Sequence, residues 1–127
     1  MAKADRAFSR YIRQKHADAG GWVSCVTCGQ RMPWEDSDCG HWIKRGHHAT
    51  RFDERNCGTQ CTACNRYRGG AMDEFAEYIV KTYGVETMHE LLALKRTNKT
   101  WRISELRELI DFYQGVEPCE TQSLSEP

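Results

Sequence analysis

Residues 25–65 read CVTCGQRMPWEDSDCGHWIKRGHHATRFDERNCGTQCTACN, and the cysteines at the two ends of this stretch decide the fold. Cys25 and Cys28 form one CxxC pair, and Cys61 and Cys64 form the other. Two thiolates three residues apart on a tight turn (a knuckle) can both reach one ion. Two such knuckles complete a tetrahedral four-thiolate zinc site with Zn–S distances of about 2.3 Å. The pairs stand 36 residues apart, so the metal would close a long loop and join the segment before Cys25 to the helix expected at the second pair. Two other assignments stay open. Cys39 or His41 could replace one thiolate, or the CxxC pairs could do redox chemistry, although no thioredoxin-like βαβ pattern surrounds either.

The composition explains why such a staple matters. The chain has 127 residues, which suits one domain. Leu, Ile, Val and Phe number only 20, about 16% of the chain, which is too little for a large core. Four Trp, five Tyr and seven Cys point instead to a folded domain with a small core held by a metal. No run reaches the roughly 18 apolar residues of a membrane span. The charged N-terminal run, MAKADRAFSRYIRQKH, has no apolar stretch of the secretory kind, so a reducing, cytoplasmic setting and metal-bound cysteines are expected. Net charge is zero, but its distribution is not even. Residues 1–70 carry 12 Lys/Arg against 7 Asp/Glu, and residues 71–127 carry 6 against 11. An anionic partner is therefore expected on the first half only.

Outward from the cysteine stretch, Ala4, Ala7, Phe8, Tyr11 and Ile12 recur at helical spacing and predict a helix over 4–16. Lys3, Arg6, Arg10 and Arg13 fall on another face, either solvated or turned to phosphates. Trp22–Thr27 reads as a short strand. Asp38–Ile43 and Asn56–Gln60 read as the strands of a hairpin-like unit with an irregular loop, and a helix is expected to begin at the second CxxC. After Gly69-Gly70, Asp73 and Glu74 suit a first helical turn, with Gly84 as the stop. Thr87 to Glu90 has the pattern of a capping box before Leu91. A last helix spans Ser104 to about Gln114. The tail from 116 to 127 lacks periodicity and is expected to be disordered. Cys39 and Cys57 read as small buried residues, Cys119 as an idle thiol, and Trp34 and Trp42 as core aromatics around the hairpin.

A four-thiolate zinc has no open position, so any chemistry needs a second centre. Between and just after the knuckles lie Asp38, His41, His47, His48, Asp53, Asn56 and Asn65. A neutral imidazole can take a proton from water near pH 7. A hard divalent cation on Asn or Asp oxygens can bind a phosphate oxygen and stabilise a leaving alkoxide. These are the parts of phosphodiester hydrolysis. A zinc-stapled binding module with incidental histidines accounts for the same residues.

The run Cys25-x-x-Cys28, Asp38-Cys-Gly-His41, Arg45-Gly-His47, Arg51-Phe-Asp-Glu54-Arg-Asn56 and Gln60-Cys61-x-x-Cys64-Asn65 resembles the phage NinG/Rap recombination family, grouped with the HNH, or ββα-metal, nucleases. Asn directly after the last Cys is also similar to phage recombination endonuclease VII. The likeness covers about residues 5–95. It implies a small α+β domain over 1–115, with a zinc-stabilised ββα-metal (HNH-like, His-Me finger) core at 22–72 between an N-terminal helix and C-terminal helices at 73–115. By position, it implies His41 as the general base, Asn65 as a ligand of the catalytic Mg²⁺ or Mn²⁺, and Asn56 as the residue that holds the hairpin loop. The four cysteines match the structural Zn²⁺ ligands. Many HNH enzymes carry a metal-binding Asp just before the base. Here Gly40 stands there, and Asp38 becomes the candidate second ligand. Arg45, Arg51, Arg66 and Arg68 are candidate phosphate clamps, with His47 as a further phosphate contact; Arg51 could instead pair with Glu54. The implied activity is that of a metal-dependent DNA endonuclease in the bacterial host cytoplasm. Its implied substrate is branched recombination DNA such as Holliday junctions or D-loops. Two cuts would make a homodimer attractive. Its rivals are a non-catalytic zinc module that binds DNA, a sequence-specific homing or restriction-type enzyme, and an adaptor that offers its acidic C-terminal half to a host recombination protein.

Overall fold

The computed structural model describes residues 1–115; the expected disordered tail lies outside the described residues. The chain runs through α1 (Ala2–Gln14), β1 (Trp22–Ser24), β2 (Arg31–Pro33), β3 (Asp38–His41), β4 (Cys57–Gln60), α2 (Met72–Tyr83), α3 (Val85–Lys95) and α4 (Ile103–Gly115). It is a small mixed α+β arrangement with two antiparallel hairpins, β1–β2 and β3–β4.

The first hairpin is built by the first knuckle, and its second strand was not anticipated. Gly29 adopts φ +84°, its N–H donates to the Cys25 carbonyl at 2.8 Å, and the Cys25 N–H reaches the Gln30 carbonyl at 2.8 Å. The chain therefore reverses at the metal-binding turn. Arg31–Pro33 is carried back alongside Trp22–Ser24, with Val23 opposite Met32. Three residues are too few for an alternating pattern to be read, and Pro33 masks the strand further. Trp34 flanks the cluster formed by Val23, Met32 and the buried cysteines. The guanidinium of Arg13 lies 5.2 Å over its ring, so this residue of the basic face of α1 is stacked on protein.

The second hairpin pairs Asp38 with Gln60 and His41 with Cys57. One of its faces meets α1, where the Thr59 hydroxyl donates to the Ile12 carbonyl at 3.3 Å. The other meets α2, where a Cβ on Gly58 would lie 3.5 Å from the Tyr78 ring. β3 ends at His41 rather than Ile43, because from Ile43 onward a side chain replaces the ladder. Asn56 is fully buried. Its Oδ1 accepts the Ile43 N–H at 2.9 Å, and its Nδ2 donates to the carbonyls of Ile43 at 3.0 Å and Thr50 at 3.2 Å. One amide thus fastens the whole loop between the strands.

Three helices differ from the sequence reading in their boundaries. α1 runs from Ala2 to Gln14 rather than over 4–16. The helix expected at the second CxxC is a short π-helical turn, Ala63–Tyr67. Gly69 and Gly70, at φ +61° and +86°, break it before α2 begins. Thr87 does not cap α3. The helix starts two residues earlier, at Val85 after Gly84 (φ +100°), and the Thr87 hydroxyl bonds back to the Tyr83 carbonyl at 3.4 Å. Phe75, Ile79 and Leu91 bury completely beside Ile43. At the opposite end, α4 closes over α1: Phe8 packs edge-on against Tyr113 (centroids 5.1 Å) and Phe52 (5.5 Å).

Replacing Asn56 with Ala strands three buried backbone groups. At roughly 1 kcal/mol or more for each unsatisfied group, the expected loss is about 3 kcal/mol. Urea unfolding of Asn56→Ala beside the parent protein reads it.

Candidate functional site

The knuckles bring four sulfurs together. The Sγ atoms of Cys25, Cys28, Cys61 and Cys64 all lie within 4.8 Å of one another, with Cys28 and Cys61 at 3.7 Å. Tetrahedral thiolate zinc places sulfurs about 3.8 Å apart, so the donor set fits that ion. Four thiolates on Zn²⁺ leave two negative charges, and N–H groups face them: the Cys64 amide meets Cys61 Sγ at 3.4 Å, and the Arg68 guanidinium meets Cys64 Sγ at 3.5 Å. Arg68 is therefore directed at the cysteine cluster while remaining exposed. Cys39 and His41 contribute nothing to this tetrad.

A second centre lies along β3. An open cleft of about 400 Å³ is lined by Asp38, His41, Asn65, Arg45 and Arg66, together with Lys44 and residues of α1. His41 is half-buried beside Phe8, ring centroids 6.3 Å apart. Its Nε2 lies 2.9 Å from the Arg51 carbonyl. A carbonyl only accepts, so Nε2 carries the proton and Nδ1 keeps the lone pair. Burial, and the nearby Arg45 charge, push the imidazole below its ordinary pKa, with the Arg51 carbonyl acting in the opposite sense. The ring is thereby held neutral near pH 7, in a fixed tautomer.

Asp38 enters the cleft from the side of the second knuckle. Its Oδ2 accepts from Asn65 Nδ2 at 3.0 Å, and its carboxylate receives Arg66 Nε at 3.1 Å and an Arg66 terminal nitrogen at 3.4 Å. Asn65 is set by the knuckle, its own N–H donating to the Cys61 carbonyl at 3.0 Å. The Asp38 carboxylate and the Asn65 amide thus meet in the cleft that His41 also lines, with the amide N–H turned to the carboxylate.

Gly40 has a physical reason that the sequence did not show. A Cβ there would fall 2.0 Å from Gln60 Oε1. Gln60 is fully buried, held by its Nε2 on the Thr27 hydroxyl (3.1 Å) and the Gly70 carbonyl (3.0 Å). No side chain fits at position 40 while Gln60 occupies that space, and the carboxylate of this strand is on Asp38, two residues earlier. The role of Gln60 was missed because a glutamine next to a cysteine motif carries no signal in the sequence.

The remaining basic groups divide. Arg45 and Arg66 are exposed at the cleft mouth, their side chains 60% and 64% accessible, and His47 is exposed on the loop beyond. Arg51 is not available as a clamp. Its guanidinium grips the Asp5 carboxylate through two hydrogen bonds, 2.9 and 2.6 Å, and donates to the Arg45 carbonyl at 3.1 Å. The partner is Asp5 rather than Glu54, which is taken by Lys15 at 2.9 Å and Tyr113 at 3.0 Å. Asp5 lies on a helix 46 residues away in the chain, a pairing no local spacing reveals. His48 offers its carbonyl to the Trp101 indole at 2.9 Å. No helix among the described residues is long and apolar enough to cross a membrane.

Comparison with known proteins gives one consistent result. The family model described as "Bacteriophage Lambda NinG protein" matches residues 1–119. Protein ninG of Escherichia phage 933W is 26% identical over 115 residues, which is 90% of this chain and 54% of that protein. Its counterparts in Salmonella phage P22 (25%) and Escherichia phage lambda (26%) align over the same length, with 54% and 53% of their chains covered. The chain spans about half the length of the curated relatives it matches. No solved structure matches.

Two outcomes follow for the purified protein. Stripping zinc with a strong chelator abolishes the cooperative thermal transition seen by circular dichroism, and added Zn²⁺ restores it. Gly40→Ala costs about 2 kcal/mol by overpacking, and the cost shrinks in a Gln60→Ala background. A double-mutant cycle on urea midpoints measures that coupling.

Proposed function

The chain belongs to the bacteriophage NinG family, and from that premise we propose that it is a metal-dependent DNA endonuclease with an HNH-type, ββα-metal centre. What carries the reading is the state of His41. Its Nε2–H is committed to the Arg51 carbonyl at 2.9 Å, and its ring lines the same cleft as Asp38 and Asn65. A fixed, neutral imidazole beside hard oxygen donors suits proton abstraction from water next to a phosphodiester.

In this reading DNA lies across the mouth of the cleft. Arg45, Arg66 and Lys44 hold backbone phosphates, with His47 as an outer contact. His41 accepts the proton of a water at Nδ1, and the Arg51 carbonyl keeps the resulting imidazolium oriented. Asp38 and Asn65 would hold Mg²⁺ or Mn²⁺, which when bound supplies charge stabilisation at the phosphate and the 3′ leaving oxygen. Arg66 leaves Asp38 for a DNA phosphate, which frees the carboxylate. Branched recombination intermediates are the proposed substrates, because the family resemblance points to phage recombination. A symmetric junction needs two cuts and therefore two copies of the site. The proposed setting is the cytoplasm of the bacterial host.

A second reading has its own observation. Asp38 is engaged by Asn65 and Arg66, an arrangement that also suits a non-catalytic, zinc-stapled DNA-binding or adaptor module. One assay separates them: supercoiled plasmid and a synthetic four-way junction, with Mg²⁺ or Mn²⁺, with EDTA, and with His41→Ala. The nuclease reading expects cutting that needs the metal and falls at least about 100-fold in His41→Ala, the scale of a general base. DNA binding with no cutting by the folded, zinc-loaded protein favours the module.

A further inference from the structure

Two cysteines outside the tetrad stand next to His41. On the face of the β3–β4 hairpin turned to α1, His41 pairs directly with Cys57, and Cys39 lies one step along the same face. The ligand atoms of Cys39, His41 and Cys57 all lie within 4.8 Å of one another. Cys57 is buried, and Cys39 and His41 are half-buried and line the cleft. Cys57 lies in the buried cluster beneath α1 and Cys39 packs against it, as the sequence suggests for small buried residues. A core does not require an imidazole beside them, and a general base needs no thiols.

We propose that Cys39, His41 and Cys57 form a second metal site, which takes a thiophilic divalent ion such as Zn²⁺ through two thiolates and His41 Nδ1, its fourth position open to the cleft. Two thiolates and an imidazole are a recognised zinc donor set, and three protein ligands leave one place for water or an anion. Soft sulfur donors select Zn²⁺ over Mg²⁺, so this site does not duplicate the one proposed on Asp38 and Asn65. The outer support of the imidazole is already in place, since a metal-bound histidine ordinarily donates its other N–H to a carbonyl and Nε2 does so to Arg51. Filling the site releases the two thiol protons to solvent and leaves the rest of the fold in place.

The site itself is independent of the nuclease reading; its consequence rests on that reading. An ion on Nδ1 uses the lone pair that would accept the proton of water, so His41 is either ligand or base. Free zinc then acts as a brake on cleavage.

The test uses the full chain, reduced, carrying one zinc on the four-thiolate cluster. Equilibrium dialysis against buffered Zn²⁺, followed by metal analysis, is expected to give two zinc per chain for the parent and one for Cys39→Ala. Co²⁺ added to the one-zinc parent is expected to give thiolate-to-cobalt charge-transfer absorption that is missing in Cys39→Ala. The one zinc kept by the variant reports that it is folded. If that variant fails to fold, His41→Ala takes its place, with loss of the second zinc expected. A parent that saturates at one zinc, or a second zinc unaffected by both substitutions, overturns the proposal. Neither measurement involves DNA, so a protein that never cuts still decides the metal site, and a one-zinc protein can still be a nuclease.

Discussion

The meeting of two knuckles 36 residues apart in the chain is the constraint on which everything else hangs. It fixes Asn65 directly, because that residue follows the last cysteine and its N–H is bonded to the Cys61 carbonyl. It also aligns the strand that leads into Cys61. β4 runs straight into the second knuckle, and β3 is registered on β4 with Asp38 opposite Gln60. The cysteine cluster thereby sets where Asp38, His41 and Asn65 sit relative to one another. With so few aliphatic residues, hydrophobic burial alone has little to hold this geometry. A metal bound to four thiolates can supply both the closure and much of the stability.

The cleft shows how a small protein with no net charge can present a local cationic surface. Arg51 and Arg55 are turned inward to carboxylates, Arg51 on Asp5 and Arg55 on Asp53 and Glu90. Arg45 and Arg66 remain at the rim. The charge asymmetry between the two halves of the chain is thus only a first approximation, since which arginines face solvent is decided by pairings within the first half and, for Arg55, by one with Glu90 of the second. Asp38 is the balance point, since its carboxylate holds Arg66 at the rim while the Arg66 side chain stays largely exposed.

Much of this is legible in the amino-acid sequence. The CxxC spacing identified the cysteine tetrad, the helical periodicity located α1, α2 and α4, and the motif run singled out His41, Asn56 and Asn65 as residues to examine. What escaped was non-local or lacked periodicity. β2 is three residues long and contains Pro33. The partner of Arg51 sits on α1 because the fold brings the first turn of the chain over the loop, and nearby Glu54 was the natural but wrong guess. Thr87 satisfied a capping pattern that Gly84 had pre-empted two residues upstream. Gly40 read as a missing ligand, and only the buried side chain of Gln60 explains it. Cys39 and Cys57 are the small buried residues that the sequence suggests, but that they share a face with His41 is a property of strand register, which the sequence specifies but does not display.

Arg51 has two attachments that together set an order of events. Its carbonyl orients the imidazole of His41, while its guanidinium is anchored to Asp5 on α1. α1 is in turn covered by α4, through Phe8 and Tyr113. The first and last helices of the described chain therefore belong to one mechanical linkage that ends at a single ring nitrogen. A ribosome releases Asp5 early and Tyr113 late. Until the later segment emerges, α1 lacks the cover that Tyr113 gives Phe8, so the packing behind the Asp5–Arg51–His41 chain of contacts is completed last.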